Sequence, residues 1–81
     1  MQERIALIGI IVEKTENIDA LNEILHNYNE YIVGRMGIPY KKKSICIISV
    51  IVDAPNNIIS ALTGKIGMLS GLSVKTVYSK N

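Results

Sequence analysis

Ser44-Ile45-Cys46-Ile47-Ile48-Ser49-Val50-Ile51-Val52-Asp53 is a ten-residue stretch whose apolar run is broken only by Ser49. Strand side chains alternate between faces, so a strand here is apolar on both. Its β-branched residues and short length favour a buried central strand over a helix of equal hydrophobicity. Arg4 to Glu13 has the same character, with Ile5, Leu7, Gly9 and Ile11 on one side and Ala6, Ile8, Ile10 and Val12 on the other. Two two-faced strands need cover on both sides, and the rest of the chain must supply it.

Between these strands, Ile18, Leu21, Ile24, Leu25 and Tyr28 form a one-sided stripe at helical spacing. It predicts an amphipathic helix ending near Asn29, capped by Thr15 or Asn17, with Glu16 and Asp19 in its first turn where the helix dipole favours negative charge. Tyr31 to Ile38 reads as a weaker edge strand ended by Pro39, and Lys41-Lys42-Lys43 as the charged tip of a hairpin. After Asp53, Pro55 suits a first helical position, with Asn56 or Asn57 as alternative caps, for a helix running to about Leu69. Gly71 breaks it, and Ser73 to Tyr78 alternates as a strand with one solvated side.

The order βαββαβ points to an α+β ferredoxin-like sandwich, a four-stranded antiparallel sheet of order 4-1-3-2 with two helices on one face. That order makes the two doubly apolar strands central. Right-handed crossovers put both helices on the same side, leaving roughly eight aliphatic side chains bare, each worth about 1.5 to 3 kcal/mol on full burial. The expectation is a homodimer or homotetramer in which sheets pack back to back or edge strands join. Its interface would draw on Ile5, Leu7, Gly9, Ile11, Ile45, Ile47, Ser49 and Ile51 of the central strands. Ser60, Gly64 and Gly67 gather opposite the apolar stripe of the second helix; Ser60 and Gly67 join the interface expectation, as a strip that lets another backbone or a ligand approach.

Eighty-one residues make a single domain spanning 1–81 with a small core, yet 48% of them are hydrophobic, which again implies a partner over part of the surface. A net charge of +2 is too mild to indicate nucleic acid by itself. The lone cysteine, Cys46, forms no internal disulfide, no apolar run reaches the roughly 18 residues of a membrane span, and Met1-Gln2-Glu3-Arg4 lacks a signal-peptide layout. A cytoplasmic protein with no membrane contact is expected.

No catalytic residues and no metal ligands stand out. His26 and Cys46 are single and lie on different elements. Thr63-Gly64-Lys65 lacks the upstream glycine and downstream hydroxyl of a phosphate loop. The seven carboxylates, Glu13 and Asp53 among them, fall mostly at strand ends and on a solvated helix face, without the apolar pocket that tunes a general acid. No pattern names a cofactor. A small-molecule effector is to be sought where strand ends meet a neighbour's helix, around Glu13, Thr15, Asn17 and Gly64. Two other readings are a nucleic-acid-binding transcriptional regulator using Lys41 to Lys43 with Arg35 and Lys65, and an enzyme subunit whose site forms only between chains.

Arg35-Met36-Gly37-Ile38-Pro39, then Ser60-Ala61-Leu62-Thr63-Gly64-Lys65-Ile66-Gly67 and Gly71-Leu72-Ser73-Val74-Lys75-Thr76-Val77, resemble the small regulators associated with iron-only hydrogenase systems. The likeness spans nearly the whole chain. Those proteins are similar in fold to ACT domains and to the C-terminal domain of the nickel-responsive regulator. The resemblance implies a non-catalytic regulator of anaerobic bacterial hydrogenase metabolism, an ACT-like ligand-sensing or protein-docking module whose partners are itself, a small effector or a hydrogenase-system protein. It does not carry over amino-acid binding, because the turn Glu13-Lys14-Thr15-Glu16-Asn17 has no glycine where ACT domains usually place one. Nor does it carry over nickel sensing, which uses several histidines.

Overall fold

The computed structural model describes residues 3–80. Met1 and Gln2, which enter the signal-peptide reading above, lie outside them, as does Asn81. The chain runs β1 (Glu3–Val12), α1 (Ile18–Asn27), β2 (Ile32–Tyr40), β3 (Ile45–Pro55), α2 (Asn56–Gly67) and β4 (Leu72–Tyr78). Short 3-10 turns at Thr15–Asn17, Asn29–Tyr31 and Lys41–Lys43 join them.

The sheet order is β2-β3-β1-β4, the 4-1-3-2 order of the ferredoxin-like fold. Every pairing is antiparallel, with β1 against β3 from Glu3↔Pro55 to Val12↔Cys46 and β4 on the far side of β1 from Ala6↔Tyr78 to Val12↔Leu72. The doubly apolar strands are central because only a central strand in this layer can keep one apolar face dry against helices while both its backbone edges are paired.

Alternate residues of β1 and β3 supply the core: Ala6, Ile8, Ile10 and Val12, then Ile48, Val50, Val52 and Ala54. Leu21 and Leu25 of α1 and Ile59, Leu62 and Ile66 of α2 close over them. No polar or charged residue is buried among the described residues. The core is therefore held by aliphatic burial alone, at about 1.5 to 3 kcal/mol per side chain.

Three local readings change. Pro39 does not end β2; the strand continues through it to Tyr40, pairing with Cys46 and Ile45. An edge strand has one row of backbone groups unpaired in any case, so the donor that proline lacks costs little there. Neither Thr15 nor Asn17 caps α1 with a side-chain bond, because Asn17 turns to another part of the chain. Pro55 is the last residue of β3, with extended backbone, and α2 begins after it without a side-chain cap. One register shift, between Ile32 and Gly34, places Val33 as an extra residue in β2.

Candidate functional site

Two regions hold most of the residues singled out in the sequence. The first is the sheet face away from the helices. Ile5, Leu7 and Ile11 of β1 and Ile47 and Ile51 of β3 are 39 to 44% exposed, although Leu7, Ile11 and Ile51 each sit between buried neighbours in sequence. Gly9, Ile45 and Ser49 share that face, so all eight central-strand residues proposed as an interface lie together on it. Met36, Ile38 and Tyr40 of β2 and Val77 of β4 widen the patch. The edge strands' part in it was not read from the sequence, since their polar alternation hid residues that become neighbours only through cross-strand register.

A row across the sheet runs Met36, Ser49, Gly9, Lys75. Its central members are small, and the rows on either side carry Ile47 with Ile11 and Ile51 with Leu7. A hollow of about 260 Å3 results, lined by Gly9 and Ser49 with Ile11, Ile47, Ser73 and Lys75.

The second region is the β1–α1 turn. The backbone N–H groups of Glu13 and Lys14 both donate to the Gly71 carbonyl, at 2.7 and 3.3 Å. Asn17 Nδ2 donates to the Ser70 carbonyl at 2.9 Å and to Ser70 Oγ at 3.1 Å, and Ser73 Oγ lies 3.5 Å from Glu13 Oε1 as donor. Glu13 and Asn17 are thus drawn to the α2–β4 turn. Thr15 instead lines a mostly apolar hollow of about 340 Å3 against the hairpin tip, with Ile18, Pro39, Tyr40, Lys41, Ser44, Ile45 and Cys46. Ser44 enters it with left-handed backbone, φ 55°.

Gly64 is exposed on α2 with open space where a Cβ would stand, and its carbonyl accepts from Met68. No hydrogen bond joins it to Glu13, Thr15 or Asn17. Ser60 is exposed on the same helix. Gly67 lies against the chain's own β4, its Cβ position 3.6 Å from Val74 Cγ1. His26 is exposed on α1 and Cys46 is half-buried in β3. Among the described residues no group of three His, Cys, Asp or Glu side chains could hold a metal ion. Among the described residues no helix is long and apolar enough to cross a membrane.

Residues 4–76 match the family model described as "TM1266-like: Iron-only hydrogenase system regulator, putative". The chain belongs to that family. The solved structure of TM1266 from Thermotoga maritima superposes with a TM-score of 0.93 at 36% identity, covering 98% of this chain and 100% of that one. Two more distant structures share the fold. A formyltetrahydrofolate deformylase from Pseudomonas putida KT2440 gives a TM-score of 0.67 at 10% identity over 95% of this TM1266-like chain and 29% of its own. CPII, a nitrogen regulatory PII-like protein from Thiomonas intermedia K12 bound to ADP, AMP and bicarbonate, gives 0.54 at 15% identity, covering 96% and 92%. Nothing among the curated proteins matches the chain.

Proposed function

We propose that this TM1266-like protein is a non-catalytic, cytoplasmic regulator in an anaerobic bacterium's iron-only hydrogenase system. It works as a homo-oligomeric ACT-like module that senses a small ligand or docks a hydrogenase-system protein. The observation that carries the reading is the bare aliphatic face: a chain whose described residues bury no polar side chain still leaves five large aliphatic side chains of its two central strands partly in water. A standing monomer gains nothing from that arrangement, whereas a sheet-to-sheet assembly recovers it.

The ligand region is the β1–α1 turn with Glu13, Thr15 and Asn17, completed by Gly64 of a neighbouring copy. The hollow beside Thr15 has an apolar floor and hydroxyl groups at its rim, the usual make-up of a small-molecule site. CPII, of the same fold, was solved with nucleotides and bicarbonate, so this topology can hold small ligands.

A nucleic-acid-binding role is the second reading, favoured by the exposure of Lys41, Lys42 and Lys43 at one end of the molecule. Native mass spectrometry of protein from its source, reading assembly size and any retained molecule, tests the first reading. A monomer at micromolar concentration that retains nothing overturns it. A gel-shift titration tests the second, which fails if no salt-dependent binding appears.

A further inference from the structure

We infer that the open face is self-complementary, and that a second copy of this chain packs on it with Ile11 and Ile47 seated over the partner's Gly9 and Ser49. This rests on the oligomeric reading above and goes beyond it by fixing the register. The size fits: the large apolar side chains of this face, exposed from 39% for Ile47 to 65% for Val77, leave roughly 700 Å2 bare, close to the ~800 Å2 per partner of a standard interface.

Register follows from symmetry. Two identical sheets facing each other are related by a twofold axis lying between them. If that axis runs across the strands at the level of Ile10, each strand lies over its own copy and the row above Ile10 meets the row below it. The Gly9–Ser49 row then faces the Ile11–Ile47 row of the second copy, and the converse holds by symmetry. Small faces large at each central position, the pattern by which packed layers interdigitate. The hollow beside Gly9 is lined by residues of both rows, Gly9 and Ser49 with Ile11 and Ile47, the rows that this placement sets over each other.

Charge separates this register from the nearest alternative. With the axis at Ile10, Lys75 comes over the second copy's Ser73, whose hydroxyl stands beside Glu13. Each Lys75 ammonium thus meets an acidic group, a contact made twice per dimer. The axis at Ile10 brings one charge, Glu13, over aliphatic Leu7, whereas moving it to Ile8 would set Lys75 over Val77 and Ile47 over Asp53, placing charge on aliphatic surface at two points.

The test is sedimentation equilibrium on the full chain, with far-UV circular dichroism to confirm folding. Gly9→Val puts its Cβ 3.9 Å from the Lys75 carbonyl oxygen, an ordinary contact, fills the hollow and is expected to weaken self-association by about tenfold or more. Adding Ile11→Ala to it is expected to restore much of the loss. Lys75→Glu is expected to weaken association, and Lys75→Glu with Glu13→Lys to recover it. A monomeric wild-type chain overturns the oligomeric reading and this register together. A wild-type dimer indifferent to Gly9→Val and Lys75→Glu, or one weakened by them without rescue by the paired changes, overturns the register alone.

Discussion

Asn17 and Ser70, 53 residues apart in sequence, are joined twice: the Asn17 amide donates to the Ser70 carbonyl at 2.9 Å and to its hydroxyl at 3.1 Å. The turn entering α1 is thereby tied to the turn leaving α2, and Asn17, read from the sequence as a helix cap and as part of the effector region, clasps the two crossovers together. Asn17→Ala removes both bonds, and Ser70→Ala removes one. Because both are exposed, the expected losses of unfolding free energy are about 0.5 to 1.5 kcal/mol for Asn17→Ala and less for Ser70→Ala. Urea denaturation of the two variants checks the order; equal losses would show that the carbonyl bond contributes little.

Gly71 is held in the left-handed region, φ +81°, while its carbonyl receives the N–H groups of Glu13 and Lys14. A Cβ there would stand 2.7 Å from Lys14 Cβ and 3.4 Å from Lys14 N, atoms that the same hydrogen bonds fix in place. Left-handed backbone alone costs an alanine about 1 to 2 kcal/mol. Gly71→Ala is expected to lose at least that much, read as a lower denaturation midpoint at unchanged slope. Gly71→Asn separates the two causes. Asparagine tolerates this backbone but carries the same Cβ, so it should be nearly as damaging as alanine; a mild Asn variant would assign the cost to backbone strain alone.

Arg4 pins the end of β4. Its Nη2 donates to the Ser79 carbonyl at 2.7 Å, and its guanidinium lies 4.7 Å from the Tyr78 ring centroid. The Ser79 N–H in turn donates to the Ile5 carbonyl at 2.9 Å. Arg4→Lys keeps the charge but loses the planar group that stacks and donates together. Hydrogen exchange at the Ser79 amide is expected to quicken in Arg4→Lys, while amides of the β1–β3 pairing stay protected. Unchanged exchange at Ser79 would mean that β4 is held by its sheet pairing alone.

The ferredoxin-like order was legible because its deciding signal is local. β1 and β3 each carry apolar residues on both faces within ten or so positions, and the common βαββαβ sandwich, of order 4-1-3-2, makes those two strands central. Pro39 misled because proline ends a strand only where its donor is needed, and edge position is a property of the whole sheet. Asn17 misled for a related reason, since Ser70 is a better-placed partner than the α1 backbone and only the fold brings it near. The outer strip of α2 was legible in its exposure: Ser60, Gly64 and Gly67 are all exposed as the helical spacing requires, and what the spacing hides is that Gly67 stands close to Val74 of β4. The hollow at Thr15 could not be read, because Pro39, Ser44 and Cys46 join it through the hairpin's return.

Leu7 and Ile8 are neighbours on β1 with opposite fates, one 44% exposed on the open face and the other fully buried against the helices. Ile8→Ala removes buried methyl groups from a core that has no polar group to rearrange. It is expected to cost about 2 to 5 kcal/mol of folding stability, whatever the protein concentration. Leu7→Ala removes surface that only a second copy would cover, so its effect should appear in assembly. The melting temperature of the wild-type protein should rise with concentration because assembly selects the folded state, and Leu7→Ala should flatten that dependence while leaving dilute-solution stability nearly unchanged. Thermal melts of both variants over a wide concentration range check this. A wild-type melting temperature independent of concentration, with Leu7→Ala indistinguishable from it, would leave the exposed side chains of β1 without a partner and the regulator without its assembly.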